Sequence, residues 1–76
     1  MIKDYVTISE AALILEISET TVYRLVNSGS LNFLLSTIGN AKIVKLSDLE
    51  DIKPVQMSNN VFKANVKKVI EMRDGI

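Results

Sequence analysis

Apolar residues between positions 8 and 31 recur at helical spacing in two short runs, with a break near residues 16 to 18. Two helices that cross closely need small or branched side chains at their contact. Side chains of that kind occupy the inner positions of both runs: Ala11, Ala12, Leu15, Ile17, Val22 and Leu25. The pattern predicts a helix-turn-helix motif, whose second helix can enter the major groove of DNA.

Capping residues predict where these two helices begin and end. Thr7 followed by Glu10 is a capping-box pattern, which predicts a first helix from about residue 8 to about residue 15. Ser18 is placed to cap the second helix. Gly29 can adopt the left-handed conformation, so this helix is expected to end near Ser28 and Gly29.

A β-hairpin is predicted next. Two β-prone runs, residues 32–38 and 41–45, are joined by Gly39 and Asn40. A two-residue turn pairs Ile38 with Ala41, and a longer loop would shift this register. In the two-residue register the core face carries Phe33, Leu35, Val44 and Leu46, and Thr37 and Lys42 lie at the tip. A hairpin directly after a helix-turn-helix motif is a wing.

Two further helices complete the predicted order. Residues 47–50 form a second capping-box pattern that opens a short helix, and Pro54 ends it. The last helix, from residue 61 to about residue 73, has an apolar stripe of Phe62, Val66, Val69 and Ile70.

The predicted fold is therefore α+β and mainly helical: a winged helix-turn-helix with a two-stranded wing and a C-terminal tail helix. The predicted organisation is a DNA-binding domain over residues 1–54, a linker over 55–60 and an amphipathic helix over 61–76.

The amino-acid composition excludes several kinds of catalytic and metal-binding site. The 76 residues contain no cysteine and no histidine, so disulfides, thiolate metal sites and histidine bases are excluded. Asp48, Glu50 and Asp51 cluster, but by position Asp48 and Glu50 belong to a helix start. No nucleophile pair, phosphate-binding loop, metal-ligand set or cofactor motif is present. An enzyme is not expected, nor is a metal, a cofactor or a small-molecule ligand.

No apolar run approaches the roughly 18 residues that span a bilayer, and the first residues lack a signal-peptide pattern. The expected location is the cytoplasm of a bacterial or phage-infected cell. Nine basic and nine acidic residues give zero formal net charge, which argues against a strongly basic DNA-binding domain. The glutamates concentrate in the first third and the lysines in the remainder, so a basic face is still compatible with the sequence.

The second predicted helix has one polar side suited to double-stranded DNA. Its polar residues fall within an arc of roughly 140°. Arg24 can bind guanine or a phosphate, and Asn27 can bind adenine or a phosphate. Ser18 and Thr20 can contact the DNA backbone near the helix N-terminus, whereas Glu19 either accepts a bond from cytosine or stabilises the helix start. The predicted DNA-binding set on this helix is Ser18, Glu19, Thr20, Tyr23, Arg24 and Asn27.

The wing adds Asn40, Lys42 and Lys45 as predicted DNA contacts, with Lys45 expected on the same surface as Lys42. The alternative is an ordinary hairpin with a solubilising lysine. The tail helix also has two interpretations. Its apolar stripe either docks on the chain's own core or contacts a second copy or a partner protein, while Lys63, Lys67 and Lys68 face DNA or solvent.

Residues 5 to 52 resemble the excisionase-type winged helix-turn-helix domains, which are relatives of the MerR DNA-binding domain. The residues that carry the resemblance are Ala11, Ala12, Leu15, Ile17, Ser18, Thr21, Val22, Tyr23, Arg24, Gly29, Leu31, Ser47, Asp48, Leu49 and Glu50. The sequence departs from the family pattern at Glu16, where glycine is common, and at Glu19 and Thr20, where arginines are common. These departures lower the expected attraction for phosphates.

The resemblance implies a small architectural factor that binds attachment-site DNA, often cooperatively, and directs an integrase toward excision. Self-association on DNA through the tail helix and contact with an integrase are the implied protein interactions. A transcriptional regulator with the same domain is the alternative, although 76 residues leave no room for an effector domain. A protein-binding winged helix that modulates a partner is the other alternative, because glutamates lie on the predicted DNA face.

Overall fold

The computed structural model describes residues 4–36 and 39–74 of the chain, without the side chains of 73 and 74. Within these residues the elements follow the order β1 (Tyr5–Thr7), α1 (Ile8–Leu15), α2 (Glu19–Asn27), β2 (Leu34–Leu35), β3 (Lys42–Lys45), α3 (Leu46–Ile52) and α4 (Asn59–Asp74). The three strands form one antiparallel sheet in the order β1-β3-β2. This confirms the predicted winged helix-turn-helix with a two-stranded wing and a C-terminal helix.

A short strand before the first helix was not predicted. β1 pairs with β3, with Val6 opposite Val44, and both valines are buried. Three residues are too few to show a convincing alternation of apolar and polar positions. The strand exists because β3 offers it hydrogen bonds and a shared core.

The predicted capping box of α1 is confirmed. The Thr7 hydroxyl accepts a hydrogen bond from the Glu10 N–H at 3.2 Å, and the Glu10 carboxylate accepts one from the Thr7 N–H at 2.9 Å. The inner side of α1 is buried and packs against α2 and α4. α1 is therefore the central helix of the core.

The turn after α1 puts a glutamate in a conformation that favours glycine. Glu16 has φ of 58°, and the Ile17 N–H donates to the Ala12 carbonyl at 3.0 Å, which closes the helix end. A left-handed residue with a side chain is disfavoured by about 1–2 kcal/mol. Asn65 of α4 supports the turn, because its amide donates to the Ile14 carbonyl at 2.9 Å and to the Glu16 carboxylate at 3.0 Å.

α2 begins and ends where the sequence predicts. The Ser18 hydroxyl accepts a hydrogen bond from the Thr21 N–H at 3.2 Å, and the helix ends at Asn27. Gly29 adopts φ of 83°, and the Leu31 N–H then donates to the Leu25 carbonyl at 3.0 Å. Leu31 is buried, so the chain is anchored before it enters the wing.

The wing forms as predicted, but in a different register. Leu35 lies opposite Lys42 rather than Val44, and the Ser36 N–H donates to the Ala41 carbonyl at 2.7 Å. The predicted two-residue turn, which pairs Ile38 with Ala41, is therefore wrong, because Ala41 bonds to Ser36 instead. Thr37 and Ile38, which the sequence places near the tip, lie outside the described residues.

The predicted core face of the wing is wrong for two of its four residues. Val44 is buried and Leu46 packs against the core, but Phe33 is 41% exposed and Leu35 is 59% exposed. The sheet packs on α1 mainly through β1 and β3, and β2 lies at the edge. Apolar alternation predicts which residues share a face, but not how far the helices cover that face.

α3 begins one residue before its predicted cap. Leu46 already belongs to the helix, and Lys45 precedes it without a side-chain capping bond, so the predicted capping role of Ser47 is wrong. The reason is that β3 runs directly into α3, where the Leu46 N–H donates to the Asp4 carbonyl at 2.8 Å. The helix ends at Ile52, before Pro54, as predicted.

α4 begins at Asn59, two residues before the predicted start, and Ser58 caps it by accepting from the Val61 N–H at 3.2 Å. Met57, in the stretch predicted as a linker, is only 8% exposed. Phe62 and Val69 are buried in the chain's own core, Val66 packs against that core, and Ile70 is half-buried. Of the two predicted alternatives for this stripe, the docked one describes the structure.

Candidate nucleic-acid interface

The outer side of α2 is polar and open. Val22 and Val26 are buried and Leu25 packs against the core, which fixes the rotation of the helix. The predicted DNA-contacting residues of this helix all face solvent as a result: Glu19, Thr20, Tyr23, Arg24 and Asn27. The helix thus presents hydroxyl, amide and guanidinium groups on one face, which are the groups that hydrogen-bond base edges and phosphates.

Arg24 is the basic residue of α2, and it lies on this outer face. Its side chain is exposed and makes no hydrogen bond or ion pair to any residue in 4–36 or 39–74. A guanidinium is always charged and presents a planar set of donors that matches guanine or a phosphate. Its binding groups are therefore free for a ligand.

Ser18 and Glu19 stabilise the start of α2 in the free protein. The Ser18 hydroxyl caps the helix and is also hydrogen-bonded to the Thr21 hydroxyl at 2.9 Å. Glu19 lies in the first turn, where a carboxylate stabilises the helix dipole. The helix start therefore explains both residues without DNA, in contrast to Arg24.

The wing meets α2 through a lysine held between two aromatic rings. The Lys42 ammonium lies 5.1 Å from the centre of the Phe33 ring and 5.6 Å from the centre of the Tyr23 ring. Tyr23 belongs to α2, and Phe33 immediately precedes β2. This cation–π cluster joins wing and helix into one surface.

Lys45 points away from Lys42. Successive side chains of a strand point to opposite faces, so Lys45 faces away from Lys42, three positions earlier in β3. Lys45 lines a shallow groove with Tyr5, Ile43 and Asp48, and Phe33 and Leu34 border the same groove. The two lysines do not share a face of β3, because they are an odd number of positions apart, and a DNA contact by Lys45 stays a prediction.

The backbone conformation of the turn explains why an asparagine occupies position 40. Asn40 is exposed with φ of 52°, directly after Gly39 with φ of 73°. Asparagine tolerates this left-handed conformation better than most residues. The turn therefore accounts for both residues, and a DNA contact by Asn40 stays a prediction.

The charge of this face differs from that of the whole chain. Arg24 and Lys42 provide two positive charges against the single carboxylate of Glu19 among its described residues. The outer side of α2 and the wing thus carries one more basic than acidic group, while exposed Glu16 adds a carboxylate in the turn just before α2. In the described part of the chain, no cluster of three His, Cys, Asp or Glu side chains is arranged to hold a metal ion.

A family model described as a helix-turn-helix domain matches residues 5–53. The chain belongs to this helix-turn-helix family. The matched residues include α1, α2 and the wing, so every side chain of the face just described lies within the family domain. α4 lies outside it.

Membership of the helix-turn-helix family supports DNA as the ligand of this domain. No curated protein and no solved structure matches the chain. None of the helices formed by the described residues has the length and hydrophobicity to span a bilayer.

Phe33 was missed as a residue of this face because its sequence context predicts a core strand position. A signal was available in the residues around it. Phe33 is one of only two phenylalanines, and it lies in an uncharged stretch from Leu25 to Ala41 that is flanked by Arg24 and Lys42. An aromatic residue close to two cations is a candidate for a cation–π contact, although the register decides whether the contact forms.

Proposed function

We propose that this helix-turn-helix protein is an excisionase-like factor that binds specific double-stranded DNA and directs an integrase of a phage or integrative element toward excision. In this proposal α2 enters the major groove and the wing contacts the adjacent backbone or minor groove. The observation that carries the DNA-binding part is the continuous surface in which exposed Arg24 and the Lys42 ammonium flank Tyr23.

Each side chain has a defined part in this proposal. Arg24 and Asn27 read base edges, Thr20 contacts the backbone near the helix start, and Lys42 neutralises a phosphate. Glu19 reduces phosphate attraction unless it accepts a bond from a cytosine amino group. Single-site affinity is therefore modest, and cooperative binding of several copies along DNA compensates for it.

The excisionase assignment rests on the sequence resemblance, above all on Thr21–Arg24 and Asp48–Glu50. The structure gives these blocks local roles that are compatible with that assignment. Tyr23 and Arg24 face outward, whereas Val22 and Leu49 are buried in the core. A transcriptional regulator would use the same DNA surface, so the two roles differ in genetic outcome and not in geometry.

An excision reporter and a promoter reporter, run in parallel, test the assignment. Wild-type protein is expected to stimulate integrase-dependent excision, and Arg24→Ala is expected to abolish the stimulation. Lys68→Ala, which removes an exposed cation from α4, is the matched control. Promoter repression without any effect on excision would replace the excisionase role with a regulatory one.

A protein-binding role is the second candidate, and two observations favour it. Glu19 lies on the face that would meet phosphates, and Leu34 and Leu35 expose more than half of their surfaces on the wing. Such apolar exposure is more typical of a protein interface than of a DNA contact. Failure to retard any duplex, together with a stable protein complex, would favour this candidate.

A further inference from the structure

Phe33 is absent from the predicted DNA-binding set, yet its ring contacts the Lys42 ammonium where the wing meets α2. We propose that Phe33 is a positioning residue: with Tyr23 it holds the Lys42 ammonium between the wing and α2, at the place where a phosphate passes. This inference rests on the proposed DNA binding and names a residue on which that binding depends.

The register of the wing explains why Phe33 reaches Lys42. Leu35 lies directly opposite Lys42, so Phe33, two positions earlier, is the diagonal neighbour on the same face. Long side chains interact across such a diagonal. The Phe33 ring lies 5.1 Å from the ammonium, nearer than the 5.6 Å of the Tyr23 ring.

The two rings come from different parts of the chain. Tyr23 belongs to α2, whose apolar side is buried, and Phe33 lies at the start of the wing. An ammonium attracted to both rings therefore links the two elements. A cation–π contact leaves the charge on the lysine, so Lys42 can still bind a phosphate from this position.

Partial exposure shows that the cluster is a surface feature. Phe33 and Tyr23 are each about two-fifths exposed, and Lys42 is half-buried. Packing of the lysine side chain against two rings restricts its conformations before DNA binds. Binding then loses less conformational entropy than it would with a freely moving lysine.

The role of Tyr23 changes accordingly. One side of its ring meets the Lys42 ammonium, while 41% of the residue stays exposed and available for contact with DNA. Tyr23 therefore has two functions, as a hydrogen-bonding group and as the second ring around Lys42.

The test compares variants on a labelled duplex of random sequence at low salt, where phosphate contacts dominate affinity. Phe33→Leu keeps an apolar side chain and removes the ring, and it is expected to weaken binding by about two- to fivefold. Phe33→Tyr keeps the ring and is expected to restore wild-type affinity. Leu34→Ala, at the next position and on the opposite face of the wing, is the control and is expected to bind as wild type does.

Two further measurements separate positioning from general damage. In a Lys42→Met background, Phe33→Leu is expected to have no additional effect on affinity. In the free protein, the Lys42 side-chain proton resonances are expected upfield because of the two rings, and Phe33→Leu should move them partway back. Tyr23→Leu provides the same readout from the other ring if Phe33→Leu folds poorly.

Equal duplex affinity of Phe33→Leu and Leu34→Ala, or unshifted Lys42 resonances in the wild type, would overturn the positioning role. Failure of the wild type itself to bind any duplex would overturn the proposed function and, with it, the DNA role of Phe33. The resonance measurement needs no DNA, so the two failures are distinguishable.

Discussion

α2 and the wing form one surface but reach it by different means. α2 is specified locally by a serine cap, a glycine at its end and an apolar side that fixes its rotation. The wing is specified by partners distant in sequence: β1 pairs along β3, and Tyr23 contacts Lys42. The helix thus carries side chains that are free to bind DNA, whereas the wing carries a cation whose position depends on its neighbours.

This difference predicts unequal effects on stability when a leucine is shortened in each region. Leu15→Ala, at the buried end of α1, is expected to lower the free energy of unfolding by about 2–5 kcal/mol through cavity formation. Leu35→Ala on the exposed wing is expected to change it by less than about 0.5 kcal/mol. Urea unfolding of both variants measures the two values, and a large loss for Leu35→Ala would show that the wing is part of the core.

On DNA affinity, the helix is expected to matter more than the wing. Arg24→Ala is expected to weaken cognate binding by about 1–3 kcal/mol, because a bidentate base contact is lost. Fluorescence anisotropy on cognate and scrambled duplexes measures the effect, with Lys68→Ala as the charge-matched control. An equal loss for both variants would indicate a nonspecific charge effect instead of base reading.

The helix caps provide a smaller and purely structural contrast. Ser18→Ala is expected to destabilise the fold by about 1 kcal/mol, since the Thr21 N–H loses its acceptor. Ser47→Ala is expected to change stability by less than about 0.5 kcal/mol, because no side chain caps α3. Thermal unfolding compares the two. A larger effect at Ser47 would restore the capping box that the sequence predicted.

The smallest predicted effect distinguishes the two faces of β3. Lys42→Met is expected to reduce the slope of log affinity against log salt by about one, because one phosphate contact disappears. Lys45→Met removes the same charge from the other face of the sheet and is expected to leave the slope unchanged. Equal slopes for the two variants would mean that DNA does not distinguish the faces of the wing.

The sequence predicted the features that depend on residues close together in the chain. The capping box of Thr7 and Glu10, the cap at Ser18 and the buried side of α2 are all confirmed. The predicted end of α3 before Pro54 is confirmed as well. Each of these depends on a backbone preference or a hydrogen bond that spans three or four residues.

What the sequence could not predict depends on contacts between distant residues. Local propensity at Gly39 and Asn40 favours a two-residue turn, but the hydrogen bond between Ser36 and Ala41 excludes it. α3 begins at Leu46, before the predicted cap at Ser47, because the Leu46 N–H donates to the Asp4 carbonyl at the other end of the domain. Phe33 was assigned to the core because alternation does not reveal where helix coverage ends.

The most direct test of DNA binding by the outer face of α2 is an NMR titration of the labelled protein with a duplex. The account predicts that the largest amide and side-chain shifts occur at exposed α2 residues and at Lys42, with α4 nearly unaffected. Shifts concentrated on α4, or no shifts at any duplex concentration in low salt, would contradict it.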